Sequence, residues 1–259
     1  MIEYSWDDLI YEINSNIDIG LPVEFWWRND GVYSKSNDLR QLSSLASNEG
    51  VPVAISVIPE KMRDDIVFHI KNFDNHFVIQ HGYAHKNHAH ISEQKNELSL
   101  NRPIKDSLKD LSIGFRNLSS EFECKFLPIL VPPWNRLSTQ IIPHLNSLGL
   151  MGLSCLGGRN SPNPVSNIFQ TNTHIDLIDW KGTNRFIGTG AAIAFACKHL
   201  SDKRNGKADP FEPTGLLTHH MRMDFSSWAF IGTFIRKTKT ISDVQWPSIQ
   251  DIFKDRSIV

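Results

Sequence analysis

The chain has 259 residues, 40% of them hydrophobic, with 27 Lys plus Arg against 28 Asp plus Glu. So even a charge balance, with no long run of one sign, excludes a nucleic-acid groove or an anionic membrane face as the main partner. Cys124, Cys155 and Cys197 are odd in number and far apart, which excludes a disulfide framework and a cysteine-rich zinc site.

The N-terminal stretch MIEYSWDDLIYEINSNI has no basic start and no apolar core, so it does not read as a secretory signal. Residues 1–20 are expected to form a helical extension to one domain spanning 1–259. No apolar run approaches the ~20 residues that cross a bilayer, and a cytoplasmic protein is expected.

Further along, short apolar runs alternate with helix-period segments. Strands are expected over 22–28, 51–58, 76–81, 126–131, 150–155, 174–180 and 214–219. Most are nearly continuous apolar runs, as in a parallel sheet covered on both faces. Helices are expected over 36–48, 104–122, 138–148, 189–202 and 225–237. Seven strands, most followed by a helix, imply βα units and a closed or nearly closed barrel. Residues 83–103 and 156–173 read as long polar loops, the kind that surrounds a ligand.

Polar constellations follow the expected strands. Asp30 ends VEFWWRND, His81 and His85 sit in QHGYAH, VPPWNR covers 131–136, IDLIDW covers 175–180, and His219 and His220 end LLTHH. In βα-barrels the C-terminal strand ends carry the active site. His81-x-x-x-His85 has a spacing that suits two imidazoles on one metal, and a carboxylate completes a common three-ligand set with open positions for water and substrate. Taken alone, the same spacing is also ordinary loop composition.

From residue 21 to 235 the chain resembles the polysaccharide deacetylase (NodB-homology, carbohydrate esterase family 4) proteins. WRNDG, HGYAH, VPPWN, DLIDW and LTH stand in the order of that family's motifs. The resemblance implies a distorted (β/α)7 barrel and removal of an N-acyl, typically acetyl, group from an amino sugar or short oligosaccharide. It implies one divalent ion, zinc or alternatively cobalt, nickel or manganese, on Asp30, His81 and His85. Metal-bound water would be the nucleophile and His219 the general acid. Trp134, with Pro133, Arg136, Tyr83 and Leu217, would line the substrate groove, and a backbone N–H near Tyr83 or Trp134 would hold the oxyanion.

Two positions depart from the pattern. Asn29 stands where the family has its base, and an amide takes no proton at neutral pH. Val131 stands where the family has an arginine, whose space Arg28 or Arg136 is left to fill. Three readings follow. Metal-bound hydroxide, or Asp176 or Asp179, replaces the base. Alternatively, Asn29 orients water or substrate in a related C–N hydrolysis of a non-sugar or cyclic amide. In the third, the chain is a carbohydrate-binding protein without turnover. Trp26 and Trp27 are expected in the core, Trp180 beneath Asp179, and His88, His90 and His220 in loops and supporting positions.

Overall fold

A computed structural model describes residues 4–254; residues 1–3 of the expected N-terminal extension lie outside them. Helix α1 (Trp6–Ile17) opens on a reciprocal cap, Ser5 accepting from the Asp8 N–H and Asp8 from the Ser5 N–H. This satisfies two donors that the helix itself leaves open. Its buried Leu9 and Ile13 face α5 (Thr189–Arg204).

The other elements are β1 (Val23–Val32), α2 (Asn37–Glu49), β2 (Val53–Val57), α3 (Asp64–Lys71), β3 (His76–His81), α4 (Ile104–Phe122), β4 (Phe126–Val131), β5 (Gly152–Leu153), β6 (Phe169–Gln170), β7 (Ile175–Asp176), β8 (Thr214–Thr218), α6 (Phe225–Lys239), β9 (Val244–Gln245) and α7 (Ile249–Ile252). They form one nine-stranded sheet in the order β6-β5-β4-β3-β2-β1-β8-β7, with β9 beside β1. Every named strand pair is parallel. The two ends of that path, β6 and β7, are separated only by Thr171–His174, and Leu156 bridges Thr173 across the gap. The sheet therefore curls into the distorted (β/α)7-type barrel that was expected.

Alternation along β1 divides its side chains between two layers. Phe25 and Trp27 join the core shared with α2, α5 and α6. Trp26 faces the other way, packing with Ala54, Ile79, Leu127, Ile129 and Val131, and α7 supplies Ile249 and Ile252 to close that end. Both tryptophans are thus core residues.

The structure corrects several boundaries. β1 does not stop at Arg28; it runs through Asn29, Asp30 and Gly31 to Val32, with a break in register against β2 between Asn29 and Val32. Gly31 sits at φ 81° there, a conformation that glycine adopts at bulges without strain. Residues 138–148 form short 3₁₀ turns rather than an α-helix, with Pro143 inside them where a helical N–H would be needed. Helix α3 and the two-residue strands β6 and β9 were not expected.

Candidate active site

The mouth of the barrel is built at the C-terminal strand ends. On β1, residues two apart share a face, so Arg28 and Asp30 point together into the mouth. Arg28 is fully buried and Asp30 nearly so. Nη2 donates to Asp30 Oδ2 at 3.0 Å, and Nε lies 3.0 Å from Oδ1, a charge contact rather than an aligned hydrogen bond. The remaining terminal N–H groups are taken as well. Nη2 donates to Asn135 Oδ1 at 2.6 Å, and Nη1 to Ser154 Oγ at 2.7 Å and the Cys155 carbonyl at 3.2 Å. Of the two arginines considered, Arg28 is the one that enters the mouth. Arg136 instead donates to the Lys95 carbonyl.

Asn29 faces the opposite way. Its Oδ1 accepts from Thr218 Oγ1 and from the His220 N–H, both at 3.0 Å, and its Nδ2 donates to His220 Nδ1 at 3.0 Å. It is fully buried, and both its amide groups are engaged. The amide ties the end of β1 to the end of β8.

His81 ends β3, buried, with Nδ1 lacking a partner. Burial first, then the charges of His85 and Arg28, hold its pKa well below the usual histidine range. The chain then turns at Gly82 (φ 51°), where a Cβ would lie 2.1 Å from Glu97 Oε2 and 2.6 Å from Pro133. Glu97, itself buried, accepts from the Tyr83 and Ala84 N–H groups at 3.3 and 2.7 Å. This fixes His85, whose ring centroid is 5.2 Å from that of His81 and 4.4 Å from that of Trp134. It also engages the Tyr83 N–H, one of the two groups proposed for an oxyanion.

Three non-glycine residues here are left-handed: His85, Trp134 and Asn135, at φ 54°, 56° and 57°. Such backbone costs roughly 1–3 kcal/mol per residue and collects at functional sites. Trp134 and Asn135 follow buried Pro133 in a 3₁₀ turn after β4, which presents Trp134 to His85 and Asn135 to Arg28. Leu217 is buried in β8, in register with Arg28 and with Asp176.

His219 follows β8, its Nδ1 3.9 Å from Asp176 Oδ1 and otherwise without a partner. Asp176 Oδ2 accepts from the indole of Trp180 at 2.8 Å, and Oδ1 from the Ile178 N–H. Trp180 also stands edge-on to the His219 ring at 4.8 Å, so it packs on this pair and not beneath Asp179. Burial pushes the Asp176 pKa up to about 6, the nearby Asp30 charge adding to it. Burial pushes His219 down to about 4, with Asp30 opposing. Asp179 lies apart: its oxygens accept from the Gly182 and Thr183 N–H groups and shape the following turn.

The ion implied by the resemblance can be tested against these positions. Ligands on one divalent ion, each at roughly 2.0–2.2 Å, lie within about 4.4 Å of one another. The donor atoms of Asp30, His81 and His85 do not all come within 4.8 Å, and both Asp30 oxygens face a buried guanidinium. As folded, this set does not fit a divalent ion.

Among the described residues, the donors that do gather are His174, His199 and Glu212, near the start of β8. There the Gly215 N–H donates to His174 Nδ1 at 3.0 Å, which leaves the ring proton on Nε2, facing Glu212 Oε2 at 3.4 Å. A protonated nitrogen cannot ligate. Glu212 further accepts from the Asn172 and Arg159 N–H groups, and burial holds both histidines neutral, at about 3 and about 2. The cluster braces the bottom of the barrel.

Sequence reasoning missed the Arg28–Asp30 pairing, Asn135, Ser154 and Glu97. The i, i+2 spacing of Arg28 and Asp30 on a strand was the available signal for the first.

No family model matches the chain, and no curated protein matches it. Solved structures do. A Mycobacterium smegmatis protein assigned as a polysaccharide deacetylase superposes with a TM-score of 0.67 at 15% identity, over 90% of each chain. The fold is that of the polysaccharide deacetylases. A family 4 carbohydrate esterase from Streptomyces lividans, in complex with acetate, gives 0.53 at 12% identity, over 87% of this chain and 91% of that one. A family 4 acetyl xylan esterase from Clostridium thermocellum, in complex with a cobalt ion, gives 0.54 at 13%, over 89% and 90%. These identities carry the polysaccharide-deacetylase fold, and the chemistry rests on the side chains in the mouth.

Proposed function

We propose that this chain is a hydrolase that removes an N-acyl group, acetyl in the simplest case, from an amino sugar or short oligosaccharide. The observation that carries the reading is the His219–Asp176 pair at the strand ends of a barrel shared with deacetylases and esterases. His219 Nδ1 is buried, unpartnered and 3.9 Å from Asp176 Oδ1. Contacts of this kind are often long before substrate binds.

His219, held neutral by its low pKa, takes a proton from the attacking water. Asp176 stabilises the imidazolium that forms, as a carboxylate does in other His–Asp pairs. The imidazolium then gives the proton to the leaving nitrogen, which departs as a neutral amine. The remaining products are the free acid and the unchanged enzyme. Trp134 offers an apolar face for a sugar ring beside His85. Of the two carboxylates considered in place of Asn29, Asp176 is the one beside His219, and it serves as the ionised partner of the imidazolium while His219 takes the proton.

Acetate release from a panel of N-acetylated sugars and oligosaccharides tests the reading, with cyclic amides alongside. Release on the sugars that is lost in His219→Ala supports it. Release on cyclic amides alone moves the substrate class. Tight sugar binding without turnover on any substrate favours the non-catalytic alternative.

A further inference from the structure

We infer that Arg28 is the resident cation of the barrel mouth and that Asp30, His81 and His85 work without a divalent ion. The inference deepens the reading of the same mouth, but its test does not depend on the reaction.

Asp30 is the carboxylate that faces Arg28 on β1, and both its oxygens lie 3.0 Å from the guanidinium. A carboxylate neutralised in this way offers an incoming ion little net charge. The guanidinium meanwhile adds a fixed positive charge beside the place the ion would occupy. In a buried site that repulsion is only weakly screened.

Arg28 is also unable to swing aside cheaply. Its side chain is fully buried, and its other terminal N–H groups are held by Asn135, Ser154 and the Cys155 carbonyl. Those partners come from the turns after β4 and β5, and Asn135 reaches Arg28 from a left-handed backbone. Separating Arg28 from Asp30 would leave two buried charges unpaired, which is strongly unfavourable. The positive charge that an ion would bring is thus already present, built from the chain and fixed by three segments. The donor spacing agrees: the His81 and His85 rings are adjacent at 5.2 Å, but the donor atoms of Asp30, His81 and His85 do not all lie within 4.8 Å of one another.

The experiment uses the full chain, stripped by chelator and titrated with Co²⁺ and Zn²⁺ under calorimetry and visible absorption. The expected result is no stoichiometric uptake and no cobalt d–d band from the mouth. The double variant His81→Gln/His85→Gln and the single variant His199→Gln locate any uptake that does occur. Uptake that survives the double variant His81→Gln/His85→Gln, whether or not His199→Gln removes it, leaves the mouth metal-free and the inference standing. Uptake abolished by the double variant overturns it. If that variant folds poorly, paramagnetic shifts on the His81 and His85 ring resonances of the wild-type chain with Co²⁺ overturn it equally, and their absence upholds it. Cobalt bound at His85 with metal-dependent acetate release would remove this inference and keep the hydrolase. An ion-free mouth with no release on any substrate would do the reverse.

Discussion

At the scale of single residues, the mouth is shaped by which way each side chain of β1 faces. Asn29 closes a hydrogen-bonded triangle with Thr218 and His220, away from the mouth. Asn29→Asp is therefore expected to leave turnover without gain. It replaces the amide that donates to His220 Nδ1 with a second acceptor, in a place where burial holds His220 down to about 4. The cost should be about 1–3 kcal/mol, read as a fall in unfolding free energy. A rise in acetate release would show that Asn29 reaches the mouth. His219→Ala is expected to reduce kcat by about 10²–10⁴-fold with the fold intact by circular dichroism. On the proposed mechanism, Asp176 is expected to set the acid limb of the pH profile. Its pKa is raised by burial to about 6, so below about pH 6 it takes a proton and no longer stabilises the imidazolium. The rate should fall as pH drops through that value, and Asp176→Asn should abolish the limb along with most of the activity. The orientation of Asn29 was legible in the sequence, because period-two alternation puts it on the face of Trp27 and puts Asp30 on the face of Arg28. The closure of the Arg28 network was not, since its partners come from two separate turns, one of which bends at Trp134 and Asn135 without a glycine.

At the scale of elements, the strands that the sequence marks are those buried on both faces. β1, β2, β3, β4 and β8 each carry a buried apolar run along much of their length, and parallel pairing with covering helices gives such runs their place. The two-residue strands β6 and β9 hold too few side chains to produce a pattern, and α3 spans only 8 residues. Over 138–148 the apolar spacing is present, but Pro143 prevents a continuous helix. The long loop over 83–103 was visible as a polar segment, whereas its anchor was not. Glu97 folds back from within the loop to hold the turn after β3, a contact between residues 13 and 14 apart. Gly82→Ala tests that turn. It adds a Cβ on a left-handed backbone, against Glu97 and Pro133. It is expected to lower stability by about 2–4 kcal/mol, measured by denaturant titration, and to weaken activity by displacing His85. An unchanged midpoint would mean the turn yields more readily than its contacts imply.

At the scale of the whole molecule, the barrel brings together residues far apart in the chain. Arg28, His81, Asn135, Ser154, Asp176 and His219 meet because β1 lies centrally, flanked by β2 and β8. The motif order placed His81, Asp176 and His219 at strand ends from sequence alone and left Asn135 and Ser154 unmarked. What it did not convey was the electrostatic arrangement of the mouth, where the Arg28–Asp30 ion pair stands at the expected ligand position and His219 Nδ1 lies 3.9 Å from Asp176 Oδ1. Among the described residues, no helix is long and apolar enough to cross a membrane, and the polar chemistry is gathered at one end of the barrel. The most direct test of the account is acetate release from N-acetylated oligosaccharides by the chelator-stripped wild-type chain beside His219→Ala. The account predicts release that persists without added metal and disappears in the variant. Release that is indifferent to His219, or that returns only when a divalent ion is restored, would contradict it.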